Sequence, residues 1–205
     1  MRVAALYDVH GMPWALEAVL AEARDADAIV FGGDLVAGPC PEETLALARS
    51  VEALWIRGNG DESHDWGRAL PLTVELDGVT YCHATPSANT PITTAITPDD
   101  DLVAAFGESG TFVIGHTHHQ FDRRVGALRV VNAGSVGMPY EGEVAAFWAL
   151  VEDGEPRFMR TAIDVGRAIA GVRSSGWDRA EEFVAENLLV AVGRDETVAY
   201  FESLR

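Results

Sequence analysis

Short apolar runs and helix-like segments alternate through roughly the first sixty residues of the chain. Residues 2–7, 28–31 and 53–56 are apolar without helical spacing, which is typical of buried strands. Between them, Pro13 and Pro41 each begin a segment whose apolar residues recur three and four apart, as on the buried face of a helix. This alternation predicts an α/β fold with a partly parallel sheet.

The rest of the chain is richer in strand patterns. Asp-Gly pairs at 77–78 and 153–154 each separate two short β-rich runs, which indicates hairpins. Further strand-like runs lie at 111–114 and 127–131. From about residue 164 the apolar residues return to helical spacing, and we expect two closing helices there.

Composition narrows the classes of protein to consider. The 205 residues, 48% of them hydrophobic, suffice for one sizeable core, so we expect a single domain over residues 1–205. The net charge of −17 argues against an extended nucleic-acid surface. No run approaches the roughly 18 to 20 apolar residues of a membrane helix, so we expect a cytoplasmic protein that does not bind membranes. Cys40 and Cys82 form no CxxC pattern and are expected to be ordinary thiols. A homo-oligomer is possible, and the sequence does not decide this.

Polar residues suited to binding metal ions follow five of the apolar runs. They are Asp8, His10, Asp34, Asn59, His83, His116 and His118. A single histidine after a strand is more often structural than a ligand, and one Asp-x-His motif is equally unspecific. Ligands of open α/β sheets bind outside the carboxyl ends of strands, so five such endings in one chain indicate a shared metal site.

The residue types indicate which metals this site would hold. A carboxylate can bridge two cations, and Asp34 is the candidate for that role. The Asn59 amide oxygen and the imidazoles complete a mixed nitrogen and oxygen donor set, which suits manganese, iron, zinc or nickel better than calcium. We expect two divalent ions, with manganese as the first choice.

The motifs also resemble a known family. Their order, Asp8-x-His10, Gly33-Asp34, Gly58-Asn59-x-Asp61, His83 and Gly115-His116-x-His118, is similar to that of the calcineurin-like metallophosphoesterases over residues 2 to about 150. The resemblance implies a four-layer sandwich of two mostly mixed β-sheets flanked by helices. It also assigns Asp8, His10, Asp34 and His118 to one metal and Asp34, Asn59, His83 and His116 to the other. The segment 132–137, Asn-Ala-Gly-Ser-Val-Gly, resembles a loop of the small bacterial and archaeal phosphodiesterase branch.

The resemblance implies a hydrolase acting on a small phosphorylated substrate. A water that bridges the ions would have its pKa lowered toward neutrality and would attack the phosphorus. Asp34, Asn59, Asp61 and His83 are the expected catalytic residues, with Asp61 orienting a ligand imidazole. A phosphodiesterase for small or nucleotide-derived diesters is the first interpretation. The alternatives are a phosphomonoesterase or dinucleoside polyphosphate hydrolase of the same superfamily, and a non-catalytic scaffold with this fold.

One position departs from the family pattern. Many relatives carry a histidine after the motif asparagine, as general acid or phosphate ligand, and this chain has Gly60 there. His64 and His119 are candidates to replace it, although each is also readily explained as an ordinary histidine. Three arginines are candidate substrate contacts, although each is also readily explained as a solvated surface residue: Arg57, Arg123 and Arg124.

Overall fold

The computed structural model describes residues 1–205. Its strands are β1 (Arg2–Leu6), β2 (Ala28–Phe31), β3 (Leu54–Trp55), β4 (Thr73–Leu76), β5 (Val79–Cys82), β6 (Ser109–Ile114), β7 (Phe121–Val125), β8 (Ala127–Asn132), β9 (Ala146–Glu152) and β10 (Glu155–Thr161). Its helices are α1 (Pro13–Glu22), α2 (Pro41–Ala48), α3 (Asp65–Arg68), α4 (Asp99–Phe106), α5 (Val165–Ser174), α6 (Ala180–Phe183) and α7 (Arg194–Ser203). A π-helical turn, Val184–Leu188, continues α6. None of the helices is long and apolar enough to span a membrane.

The strands form two five-stranded mixed sheets. The first has the order β10-β9-β1-β2-β3, in which β1, β2 and β3 run parallel and β9 pairs antiparallel with both β1 and β10. The second has the order β4-β5-β6-β8-β7, in which β5, β6 and β8 run parallel and both edge strands pair antiparallel. Helices pack outside, so the expected four-layer arrangement is confirmed.

The alternation of side chains along β1 divides the core into layers. Val3, Ala5 and Tyr7 point into the space between the two sheets, where they pack against residues of β5 and β6. Leu6 points the other way and packs under α1 and α5. The buried Tyr7 hydroxyl donates a hydrogen bond of 2.7 Å to the carbonyl of Val113, which ties the two sheets together. A separate cluster joins α4 to the outer face of the second sheet.

The closing helices differ from the sequence expectation. Three helices follow residue 164 instead of two, because α7 was not anticipated. Its sequence has only Thr197 and Val198 buried, too few for a clear apolar stripe. Three further elements were missed: the short helix α3, the helix α4, whose first turn is acidic, and β7, an edge strand with one buried residue.

A close contact between α5 and α1 gives a test of this packing. A Cβ added to Gly171 would lie 1.8 Å from the ring of Trp14, whereas one added to Gly166 would meet only Asp164 Oδ1 at 3.5 Å. We expect Gly171→Ala to destabilise the protein by about 1–3 kcal/mol through overpacking. Gly166→Ala, in the same helix, should be neutral or slightly stabilising. Thermal unfolding of both variants checks this, and equal melting temperatures would contradict the packing.

Candidate metal centre

The structure brings the seven expected residues together at the carboxyl edges of parallel strands. Asp8 and His10 follow β1, Asp34 follows β2, Asn59 follows β3, His83 follows β5, and His116 and His118 follow β6. Five of these residues are buried, and Asn59 and His116 are half-buried. The convergence follows from topology, because β1, β2 and β3 are neighbours in one sheet and β5 and β6 in the other.

The backbone of the site is strained. Left-handed φ angles occur at Asp8 (53°), His10 (49°), Asp34 (51°), His116 (67°) and His118 (57°). Elsewhere in the chain, the non-glycine residues with such angles are Asp77 and Asp153, both in hairpin turns. Each non-glycine residue in this conformation costs roughly 1–3 kcal/mol and persists only where the surrounding structure enforces it. Such residues are typical of functional sites.

Backbone carbonyls fix the orientation of all four imidazoles. The hydrogen bonds run from His10 Nδ1 to Ala37 O (2.9 Å), from His83 Nδ1 to Gly32 O (2.9 Å), from His118 Nδ1 to Met138 O (2.8 Å) and from His116 Nε2 to Thr90 O (3.1 Å). A carbonyl oxygen only accepts, so the ring nitrogen beside it carries the proton. The other nitrogen of each neutral ring therefore presents a lone pair to the site.

These lone pairs face other acceptors. The Nε2 atoms of His10 and His118 lie 3.1 Å apart. The Asn59 side-chain oxygen lies 3.1 Å from His83 Nε2 and 3.0 Å from His116 Nδ1. Such contacts repel unless a positive charge lies between the partners or, at Asn59, the amide turns so that its NH₂ donates to both rings. At His10 and His118, where no amide can turn to donate, a cation between the two rings would relieve the repulsion.

The carboxylates complete two donor groups. Asp8 Oδ1 is buried without a hydrogen-bond partner and lies 3.4 Å from His118 Nε2 and 3.9 Å from His83 Nε2. Asp34 presents Oδ1 to His83 at 3.7 Å and Oδ2 to His10 at 3.9 Å. Asp8, His10 and His118 form one potential metal-binding group, and Asp8, Asp34 and His83 form another. Asp8 thus adjoins both groups, whereas the resemblance assigned it to one metal.

The electrostatics of the site favour a bound cation. Burial and the neighbouring His83 lower the pKa of His116 to about 4, and burial with His118 lowers that of His10. Burial opposes protonation of His118 as well, yet the adjacent Asp8 raises its pKa above the usual value. Positive charge is therefore drawn to the position between Asp8 and His118, where a metal ion can replace the proton.

Asp61 was expected to orient a ligand imidazole, but its carboxylate contacts backbone N–H groups instead. Its Oδ1 accepts a hydrogen bond from Leu35 N–H at 2.9 Å, and its Oδ2 accepts from Gly58 N–H at 3.3 Å. The carboxylate therefore holds the backbone next to Asp34 and Asn59, while backbone carbonyls hold the rings. Burial and the Asp34 charge raise the pKa of Asp61 to about 6.

Neither candidate replacement for the missing histidine reaches the site's opening. A cleft of about 850 Å³ opens over His10, Asp34, Asn59 and Gly60, and neither His64 nor His119 lines it. His119 is 0% exposed, and burial lowers its pKa to about 4. His64 instead stacks on Trp66, with ring centroids 5.9 Å apart.

A Cβ at position 60 would be crowded by its neighbours. A Cβ there would lie 2.7 Å from the Ala37 Cβ and 3.1 Å from Asp34 Oδ1. The Gly60 N–H donates to that same Asp34 oxygen at 2.6 Å. A histidine at this position would require Ala37 and the Asp34 carboxylate to shift, so its absence agrees with the local geometry.

The three candidate arginines lie outside the cleft. Arg57 donates to the Arg68 carbonyl, Arg123 donates to the carbonyls of residues 95 and 97, and Arg124 faces Glu155. Arg179 lines the cleft instead and was not anticipated.

Other contributors were also missed by sequence reasoning. Tyr140 stacks on His118, with ring centroids 4.9 Å apart, and nothing in its local sequence signals that contact. In the segment 132–137, Ser135 Oγ donates to the Asp8 carbonyl at 2.7 Å, and Asn132 Nδ2 donates to the Gly115 carbonyl at 2.6 Å. This loop therefore braces the two ligand-bearing segments.

Comparison with known proteins agrees with this geometry. The model of the calcineurin-like phosphoesterase superfamily domain matches residues 1–153. A metallophosphoesterase from Sphaerobacter thermophilus shares the fold at 24% identity, with a TM-score of 0.78 over 94% of this chain and 99% of that one. The phosphoesterase Yfce from E. coli aligns at 22% identity and a TM-score of 0.56, over 80% of this chain and 100% of that one.

Vps29 from Chaetomium thermophilum also aligns, at 15% identity and a TM-score of 0.52, over 80% of this chain and 95% of that one. No curated protein is significantly similar in sequence. The family match extends over most of the chain and contains all seven candidate ligands. The chain therefore belongs to the calcineurin-like phosphoesterase superfamily, a family of divalent-metal-dependent phosphoesterases.

Proposed function

We propose that this chain is a dinuclear metal-dependent phosphodiesterase acting on small or nucleotide-derived phosphodiesters. The observation that carries the proposal is the convergence of four imidazole lone pairs and two carboxylates in one cluster, of which His10 and Asp34 line an open cleft. A site of this kind holds cations where a phosphate group can reach them. The superfamily membership supports the hydrolytic part of the proposal.

The donor groups suggest how two ions would be held. His10 and His118 would bind one ion, and His83 and His116 with Asn59 would bind the other. Asp34 presents one oxygen to His10 and one to His83, and Asp8 adjoins both groups. Mixed nitrogen and oxygen donors suit manganese, which we propose as the preferred metal. Bound divalent cations supply Lewis-acid stabilisation of negative charge on phosphate oxygens and lower the pKa of a coordinated water.

The chain's own contribution is positioning. Carbonyl hydrogen bonds hold the four rings, and the strained backbone at Asp8, His10 and Asp34 keeps these ligands facing inward. Ligands held in this way do not have to reorganise when the substrate binds. Because Gly60 offers no proton donor, we propose that esters with good leaving groups are favoured.

The charge of the cleft favours diesters over more highly charged substrates. Arg179, the arginine that lines it, is paired with Glu182 at 2.9 Å and 3.0 Å. Two further carboxylates, Glu186 and Glu196, line the cleft without an ion-pair partner. A monoester dianion or a polyphosphate would meet these negative charges without a free cation beyond the metals, whereas a diester carries one charge.

Two substrates with the same leaving group test this proposal. With manganese, bis(p-nitrophenyl) phosphate should be hydrolysed with a kcat/KM at least about tenfold above that of p-nitrophenyl phosphate, because like charges oppose the monoester. Both activities should disappear with a chelator. Faster monoester hydrolysis would instead support a phosphomonoesterase or a dinucleoside polyphosphate hydrolase, and metal-independent turnover would contradict the proposal.

A non-catalytic scaffold is the second candidate function. The shared fold with Vps29 from Chaetomium thermophilum is the observation that favours it. A scaffold needs no hydrolysis, yet this chain has all seven candidate ligands in one place. Metal content and turnover measured on one preparation separate the two functions: bound metal without hydrolysis of diesters, monoesters or polyphosphates would support the scaffold.

A further inference from the structure

The cleft above the metal centre is closed on one side by a segment outside the matched family domain. The domain match ends at residue 153, and residues from 177 to 201 supply most of the remaining lining. We call residues 177–201 the C-terminal wall. The cleft volume, about 850 Å³, lies within the range of small-molecule sites, and its floor is formed by His10, Asp34, Asn59 and Gly60.

The C-terminal wall presents large apolar and aromatic side chains to the cleft. These are Trp177, Phe183, Val190, Tyr200 and Phe201, with Tyr140 beside them. Val190 is 61% exposed and Tyr200 is 60% exposed. Large apolar side chains exposed together at the rim of a cleft are typical of a binding surface.

The local backbone directs the wall toward the cleft. Leu189 N–H donates to the Val184 carbonyl at 2.9 Å, which makes a π-helical turn. Val184 and Leu188 pack into the core, while residues 185–187 line the cleft. Turns of this kind are rare and often occur at functional sites.

Two contacts fix α7, which carries Tyr200 and Phe201. At its start, Arg194 forms an ion pair with Glu141, whose side chain is 4% exposed. Near its end, Glu202 accepts a hydrogen bond from Thr97 at 3.2 Å. These contacts therefore hold in place the helix that carries Tyr200 and Phe201.

The charges of the wall restrict what it can bind. Arg179 is paired with Glu182 and lies 5.9 Å from the Trp177 ring centre, so it offers no free positive charge. Glu186 and Glu196 have no ion-pair partner. A second anionic group on the substrate would be repelled, whereas a flat apolar ring would stack on the aromatic side chains.

We propose that the C-terminal wall binds an aromatic or heteroaromatic ring of the substrate that carries no anionic substituent, while the phosphate lies at the metal centre. This inference rests on the proposed function, which it deepens by naming the organic group of the substrate. Tyr200 and Phe201 are the stacking residues, and Glu186 and Glu196 exclude additional negative charge.

Direct binding to the manganese-loaded protein tests the proposal. Phenylphosphonate and methylphosphonate present the same anion with and without a ring, and calorimetry measures both without any reaction. We expect phenylphosphonate to bind at least about tenfold more tightly, because the ring is buried against aromatic side chains. Tyr200→Ala and Phe201→Ala should each remove most of that ratio. Leu204→Ala, at an exposed apolar residue outside this cleft, should preserve it.

A ring bearing a second anion tests the charge argument. 4-Carboxyphenylphosphonate should bind at least about tenfold more weakly than phenylphosphonate, and Glu186→Gln with Glu196→Gln should narrow that gap. Equal affinities of phenylphosphonate and methylphosphonate in the unmodified protein would overturn the inference, even if diesters are hydrolysed. Ring selectivity without any hydrolysis would support the binding site and contradict the proposed function, so the two failures are distinguishable.

Discussion

The Asp34→Asn variant is expected to lose metal-dependent hydrolysis while keeping its fold. Asp34 presents one oxygen to His83 at 3.7 Å and the other to His10 at 3.9 Å, so it faces both donor groups. Asparagine keeps the volume and an oxygen for the Gly60 N–H, but it removes the charge that offsets repulsion between two cations. Mutating a residue that only hydrogen-bonds to a metal ligand typically lowers metal affinity or activity about 10- to 100-fold. Asp34 is itself a candidate ligand, so we expect kcat/KM to fall by more than that range.

A matched variant controls for the change in net charge. Asp100→Asn removes the same charge at an exposed position on α4 and should leave turnover unchanged. Steady-state kinetics with manganese, together with circular dichroism, compare the three proteins. Unchanged turnover in Asp34→Asn, or an equal loss in Asp100→Asn, would be inconsistent with the role assigned to Asp34.

Removal of metal should lower the melting temperature substantially. Without a metal ion, only a proton can separate the Nε2 atoms of His10 and His118, which lie 3.1 Å apart, and Asp8 Oδ1 is buried without a hydrogen-bond partner. One ion present at about 100 times its Kd stabilises a folded protein by roughly 2.7 kcal/mol. For a chain of this size that corresponds to about 5–10 °C. We expect a shift of at least this size between manganese-loaded protein and protein treated with a chelator.

Thermal unfolding with and without metal measures the shift, and Asp34→Asn is the control. Because that variant has one fewer charged ligand, its melting temperature should respond less to manganese. Identical melting curves of the unmodified protein with manganese and with chelator would show that no cation binds the folded state preferentially.

The positions of the ligands could be predicted from the sequence because they depend on topology alone. Apolar runs identify strands, and the carboxyl ends of parallel strands share an edge, so Asp8, Asp34 and Asn59 had to be neighbours. The orientation of the rings could not be predicted in this way. It depends on carbonyls such as those of Ala37 and Met138, which carry no residue-specific signal.

The role of Asp61 shows a different limit. Asp61 was expected to orient a ligand imidazole, but residues 60–63 form a 3₁₀ turn that points the carboxylate at backbone N–H groups. Within the C-terminal wall, the helix at 180–188 was expected from its apolar spacing, but α7 was missed. Helix α7 buries little of its own surface, and its position depends on contacts with Glu141 and Thr97, distant in sequence.

Anomalous X-ray scattering from crystals of the manganese-loaded protein tests the central claim most directly. Two peaks roughly 3.5 to 4 Å apart are expected, one beside His10 and His118 and one beside His83 and Asn59, with Asp34 contacting both. A single peak, or manganese bound away from Asp34, would contradict the dinuclear centre on which the proposed hydrolysis depends.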